Sequence, residues 1–108
     1  MRYQIEEREN HILIQFLNER LIDDDIRVLE EFLEEYPKEN IILQLFLVRS
    51  IRHSNALKKL HDSWQKRDLS FIILAKYDVL EDLSDEISKA STETGALEIL
   101  QMQELERQ

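Results

Sequence analysis

Three imidazoles, His11, His53 and His61, are the only side chains of the chain whose ordinary titration lies near neutral pH. His53 and His61 stand eight apart with Leu57 between them, so they form no i, i+4 metal pair, and no His-Glu-x-x-His run exists. All three read as surface or turn histidines. Ser54 and Ser63 flank imidazoles, but a serine nucleophile also needs an oxyanion site, usually built on a glycine-rich turn. The single glycine, Gly95, lies in a polar stretch and supplies none. Asp78, Asp82 and Asp85 fall on neighbouring helical turns. Without a partnering histidine or matching acids on a second helix they read as a solvated face. Trp64 suits an interface anchor, but its place on an apolar helix stripe favours core. With no cysteine there is no disulfide framework, zinc ribbon or thiol nucleophile, which fits the cytosol. The expectation is a protein that is no enzyme and holds no metal and no cofactor.

The elements that would position these residues follow from composition. The chain has 108 residues, 43% of them hydrophobic, enough for one domain with a core, residues 1–108. One Gly and one Pro leave few of the tight turns an all-β sandwich or barrel needs. Fourteen basic residues against 23 acidic ones give a formal charge of −9, which opposes binding to nucleic acid or anionic lipid. The longest apolar stretch, Ile41 to Val48, is too short to cross a bilayer. Apolar residues recur at three and four, which predicts an all-α chain of about six helices.

The helices are expected at Glu9–Leu21, from Asp23–Asp25 to Tyr36, at Glu39–Arg52, from a cap at His53-Ser54-Asn55 through Trp64, from Leu69 to Ile87, and at Ala96–Glu106. Residues 1–8 are a candidate disordered end, and 91–95 a polar break. Charge is blocked: Glu19–Glu35 carries a net −6, Arg49–Arg67 a net +5, and Asp68 onward a net −7. The plain reading is a basic helix neutralised by acidic neighbours; the sharper one is a strip that steers an acidic partner.

Two segments repeat at an offset of about 28 to 31 residues: Phe32-Leu33-Glu34-Glu35-Tyr36-Pro37-Lys38-Glu39-Asn40-Ile41-Ile42-Leu43 and Trp64-Gln65-Lys66-Arg67-Asp68-Leu69-Ser70-Phe71-Ile72-Ile73-Leu74. Each has an aromatic near a helix end, a polar joint, and a strongly apolar run. Such a period suggests antiparallel helical hairpins stacked as degenerate tetratricopeptide-like repeats. With Leu29 to Leu33, Leu43 to Ser50, Asn55 to Leu57, Asp68 to Tyr77 and Met102 to Leu105 in that order, the chain resembles the tetratricopeptide-like chaperones of type III secretion needle subunits (YscG/PscG type). The turn at His53 is shorter than that pattern, and Ser54 and Asn55 stand where glycines are usual.

The resemblance implies a non-catalytic chaperone of the bacterial cytoplasm. It would hold the amphipathic C-terminal helix of a secretion needle subunit in a concave apolar groove, together with a small helical co-chaperone, and prevent premature polymerisation. The groove carried over by position is Ile41, Gln44, Val48, Ile51, Ile72, Lys76 and Val79, closed by Met102 and Leu105. Leu43, Phe46, Phe71 and Leu74 would then pack the hairpins. Ile12 and Phe16 are the candidate co-chaperone interface. The alternatives are an acidic helical inhibitor or immunity protein blocking a basic enzyme, and a homodimeric structural domain. The chaperone reading requires Ile41, Val48, Ile72 and Val79 to face an open furrow.

Overall fold

A computed structural model of the chain describes residues 2–51 and 54–108, without the side chain of Ser54. The expectations placed on Arg52, His53 and the Ser54 side chain therefore lie outside the described residues. The order of elements is β1 (Tyr3–Glu7), β2 (Ile12–Phe16), β3 (Arg20–Leu21), α1 (Asp23–Leu33), β4 (Ile41–Gln44), β5 (Ser50–Ile51), α2 (Ser54–Lys66), β6 (Phe71–Leu74), α3 (Tyr77–Leu80), β7 (Lys89–Ala90) and α4 (Glu93–Glu106). One sheet runs β1-β2-β4-β6-β7, and β3 and β5 form a small parallel pair beside it. Only the β1–β2 hairpin is antiparallel; β2, β4, β6 and β7 are parallel.

The all-α, six-helix expectation is thus wrong, and the reason is physical. Ile41–Gln44 and Phe71–Leu74 are central parallel strands, covered on both faces, so nearly every position is apolar. A short run of that kind has the same hydrophobic pattern as a buried helix. The β-branched content of Ile41-Ile42 and Ile72-Ile73 favours the strand, where χ1 restriction costs least. The expected first helix holds β2 and β3, the expected third β4 and β5, and the expected fifth β6 and α3. Residues 3–7, inside the candidate disordered end, form β1 on Tyr3 and Ile5, both partly buried against the core.

The sheet separates two apolar layers by the period of two. Ile12, Ile41 and Phe71 are neighbours across the ladder, as are Ile14, Leu43 and Ile73; all six face α1 and α2. The other layer holds Leu13, Ile42, Ile72 and Leu74, covered by Ala96 and Leu100 of α4. The helices α1 and α2 each return the chain from one parallel strand to the next, so tight glycine turns are not needed. Among the described residues, Asp68 (φ 59°) enters the left-handed region, and aspartate is a residue type that tolerates it.

The sequence repeat is real, but its unit is helix-then-strand. α1 leads into β4 and α2 into β6, and Ile41 and Phe71, 30 residues apart, are direct ladder partners. The Tyr36-Pro37 joint is the turn between α1 and β4. Asn40 there accepts the Ser70 N–H on Oδ1 (2.8 Å) and donates from Nδ2 to the Asn10 carbonyl (3.1 Å) and Glu104 Oε1 (3.2 Å). One side chain ties the amino ends of β2, β4 and β6 to α4. Trp64 is core, its ring edge-on to Phe71 with centroids 6.2 Å apart and its Nε1–H donating to the Glu39 carbonyl (2.8 Å).

Candidate interaction surface

The chemistry-bearing side chains do not gather into a reaction centre. Of the histidines expected at the surface or in turns, His61 is instead fully buried within α2, and His11 stands at the β1–β2 turn but is nearly buried. His61 accepts the Ser88 N–H on Nε2 (3.1 Å), which leaves Nδ1–H to donate to Asp62 Oδ1 (3.1 Å). Gln103 continues the chain of bonds, donating to Ser88 Oγ (2.9 Å) and accepting from Ser70 Oγ (2.6 Å), so α2, β7, α4 and the start of β6 share one network. Its logic is satisfaction of buried polar groups at the edge of the core. Burial pushes the His11 imidazole below its usual range, with the Arg8 charge adding to the effect and Glu93, Glu104 and Glu6 opposing it. Among the described residues no three His, Cys, Asp or Glu side chains converge as metal ligands. Asp78 bonds its neighbour's Val79 N–H (3.1 Å), and Asp85 faces Lys89 (3.7 Å).

The expected groove residues are dispersed. Ile41, Val48, Ile72 and Val79 are sealed in the interior, and Ile41 and Ile72 point to opposite layers, so no furrow can hold them together. Gln44 ends β4 and Ile51 lies in β5, both half-buried, while Lys76 is exposed at the start of α3. Met102 and Leu105 are exposed on α4. Ile12 and Phe16, the expected co-chaperone surface, are buried in β2. Of the expected packing residues, Leu43 and Phe71 fill one layer and Leu74 and Phe46 the other.

What the fold does expose is a rim at the carboxyl ends of the parallel strands, where open α/β sheets bind their ligands. Beyond β2, β4 and β6 the exposed apolar residues are Ile22 (46%) between β3 and α1, Leu47 (52%) between β4 and β5, and Tyr77 (72%) at the first position of α3. Each is flanked by anchors: Leu21 beside Ile22, Leu45 and Val48 around Leu47, and Ala75 before Tyr77 are all buried. The Leu45 N–H donates to the Leu74 carbonyl (2.7 Å), which brings the loops after β4 and β6 to one edge. The Arg49 N–H donates to the Glu19 carbonyl (2.9 Å) and Leu21 pairs with Ile51, which binds the loop after β2 to the loop before α2. Ile22 opens α1, its N–H held by the Asp25 carboxylate (3.0 Å), with Asp23, Asp24 and Asp25 in the first turn favourable to the helix dipole. An open depression of about 810 Å³ lies alongside, lined by Arg2, Leu17, Asn18, Glu19, Arg20, Ile22 and Asp25. The 13-residue α2 begins at Ser54, three positions after Ile51, on this same edge.

Charge follows the blocks in the sequence. The basic α2 lies beside the acidic α1, and Lys58 bridges Asp62 (2.8 Å) and Glu86 (2.9 Å). Those bonds raise the Lys58 pKa, and the Lys58 bond, with His61 second, lowers that of Asp62. The rim was not read from the sequence, although its signal is present. Three apolar strands at offsets of 29 and 30 residues, each followed by a polar joint, mark three loops on one sheet edge.

No family model matches the chain, and no curated protein matches it. Among solved structures, it is similar to RsbS of Moorella thermoacetica in a serine-to-glutamate variant, with a TM-score of 0.73 and 14% identity over the whole of both chains. It is also similar to an anti-sigma factor antagonist from Mycobacterium paratuberculosis, with a TM-score of 0.68 and 15% identity over 93% of each chain. These likenesses overturn the tetratricopeptide-like secretion-chaperone resemblance, and with it the needle-subunit and co-chaperone partners. Over its full length the chain shares the α/β fold of these two proteins, a mixed five-stranded sheet with helices on both faces.

Proposed function

We propose that the chain is a partner-switching protein of the anti-sigma factor antagonist type, which acts by binding and carries out no reaction of its own. The partner is an anti-sigma factor, and the contact is the strand-end rim carrying Ile22, Leu47 and Tyr77. The observation that carries this reading is the rim itself: three exposed apolar side chains, each close in sequence to a buried anchor, on the edge where α2 begins at Ser54. Apolar anchors on rigid supports dominate binding energy at interfaces. A serine opening a helix is also a place where added phosphate is favoured by the helix dipole and by the free N–H groups of the first turn. Phosphate on a serine at that position adds about −1.5 to −2 of charge at the start of the helix.

The test is binding of the purified chain to each candidate anti-sigma factor of its source organism by titration calorimetry. Leu47→Asp and Tyr77→Asp should weaken the complex at least about ten-fold, as expected for interface anchors. Ser54→Glu should do likewise, while Ser54→Ala leaves the affinity within about two-fold. Binding that ignores the Leu47 and Tyr77 substitutions would refute the rim as the contact. A chain that binds none of those proteins would refute the class.

A further inference from the structure

The helices α1 and α2 lie side by side on one face of the sheet, and each runs against the parallel strands, so the two run in the same direction. Each turns a mixed face to the other. From α1 and its cap that face is Glu30, Leu33 and Glu34, at i, i+3 and i+4. From α2 it is Lys59, Leu60, Ser63, Trp64 and, just past the helix, Arg67. Between them remains a half-enclosed cleft of about 270 Å³. Its floor is apolar, with Leu33, Leu60 and Trp64 all buried. Its walls are charged and opposite in sign, two carboxylates on the α1 side against a lysine and an arginine on the α2 side.

These charges do not close on one another. Among the described residues Glu30, Glu34, Lys59 and Arg67 form no ion pair. The arginine is held elsewhere: its guanidinium lies 4.5 Å from the centroid of the Trp64 ring, and its Nη1 donates to the Pro37 carbonyl (3.4 Å). A guanidinium planted on an aromatic face keeps its remaining N–H groups in a set orientation, ready for a carboxylate. We infer that the cleft binds a small zwitterion with an aliphatic body, of the class of a free amino acid. Its carboxylate lies on Arg67 and Lys59, its ammonium on Glu30 and Glu34, and its body on Leu33 and Leu60. Volume limits the occupant, since sites for drug-sized ligands begin at about 300 Å³. The Trp64 face is taken by Arg67, which leaves an aliphatic surface for the body. Solvated charges attract weakly one at a time, so recognition requires both charges and the floor together.

The cleft is separate from the strand-end rim. It lies toward the carboxyl ends of the two helices, where Leu33 closes α1 and Lys66 closes α2, whereas Ile22 and Ser54 open them at the rim. The inference therefore stands independently of the function proposed for the rim.

Trp64 is the single tryptophan of the chain, so its fluorescence reports on the cleft directly. The probe is L-leucine titrated into the full chain, and amide shift mapping gives its location. Leucine should give a saturable change, with the largest shifts around Leu33, Leu60 and Trp64. L-leucinamide lacks the carboxylate, N-acetyl-L-leucine lacks the ammonium and glycine lacks the body; each should bind at least about five-fold more weakly. Arg67→Gln should weaken leucine at least about five-fold and leave leucinamide within about two-fold. Glu30→Gln with Glu34→Gln should weaken leucine similarly and spare N-acetyl-leucine. All three substituted positions are exposed, and circular dichroism checks that the fold is kept. Shift mapping also reads the affinity where Arg67→Gln alters the Trp64 emission. No saturable change with leucine, shifts away from the cleft, or affinities indifferent to both variants would overturn the site. Glycine binding as tightly as leucine would overturn the aliphatic class of the ligand.

Discussion

Asn40 shows how much one side chain can organise. Its amide satisfies the Ser70 N–H at the edge of the buried region and reaches both β2 and α4. Asn40→Ala should cost about 1–3 kcal/mol in urea unfolding, the range for leaving a buried donor without a partner. The nearby His11 makes a different prediction. Burial holds its folded pKa below 6.5, so around that pH the unfolded chain binds more protons than the folded one. Stability therefore falls as pH drops through the unfolded value near 6.5, and is retained above it. His11→Gln should flatten that part of the pH–stability curve, measured by thermal unfolding from pH 7.5 to 5.5. An unchanged slope would mean that other groups set the acid sensitivity.

Among the elements, the helices were legible and the central strands were not. α1 and α2 overlap the expected helices because each keeps a polar face whose spacing reveals a period of 3.6, and α4 overlaps the expected last helix without such a one-sided pattern. The strands β4 and β6 have no polar face, and four apolar residues carry no period that separates strand from helix. β1 did carry one: Tyr3 and Ile5 alternate with Gln4 and Glu6, a half-buried edge strand hidden by its acidity. The candidate groove failed for the same reason as the helices. Apolar surplus was read as surface awaiting a partner, when two-sided burial in a sheet consumes it. Ile73, fully buried between Leu43 and β7, tests that burial. Ile73→Ala should destabilise the fold by about 2–5 kcal/mol in equilibrium unfolding, as for other large-to-small changes in a packed core.

For the whole molecule, three layers in 108 residues leave little redundancy. The smaller layer is closed mainly by α4, through Ala96, Leu100 and the half-buried Ile99, with Phe46 and Ala90 packed against it. Deleting residues 93–108 should expose Leu13, Ile42, Ile72 and Leu74 as one patch. The shortened chain should bind a hydrophobic dye and aggregate at concentrations where the full chain stays monodisperse in light scattering. A monodisperse, dye-silent truncation would show that the sheet face is covered in another way. The charge blocks also take their meaning at this scale. The basic α2 lies against acidic neighbours, with Lys58 joined to Glu86 before β7. That arrangement leaves the −9 distributed over α1, the α3 region and α4 as the field a partner meets.

The two margins of the five-stranded sheet bear on the fate of the chain under stress. The Ile-Ile-Leu and Phe-Ile-Ile-Leu segments are the kind that zip into fibrils when their backbone is free to recruit copies. Here one margin is β1, with Glu6 and Glu7 exposed along it, and the other is β7, two residues long. Charge on one flank and brevity on the other deny an incoming strand its template. Fibril growth must therefore wait for a flank to peel away, so resistance to it is set by how tightly β1 and β7 are held.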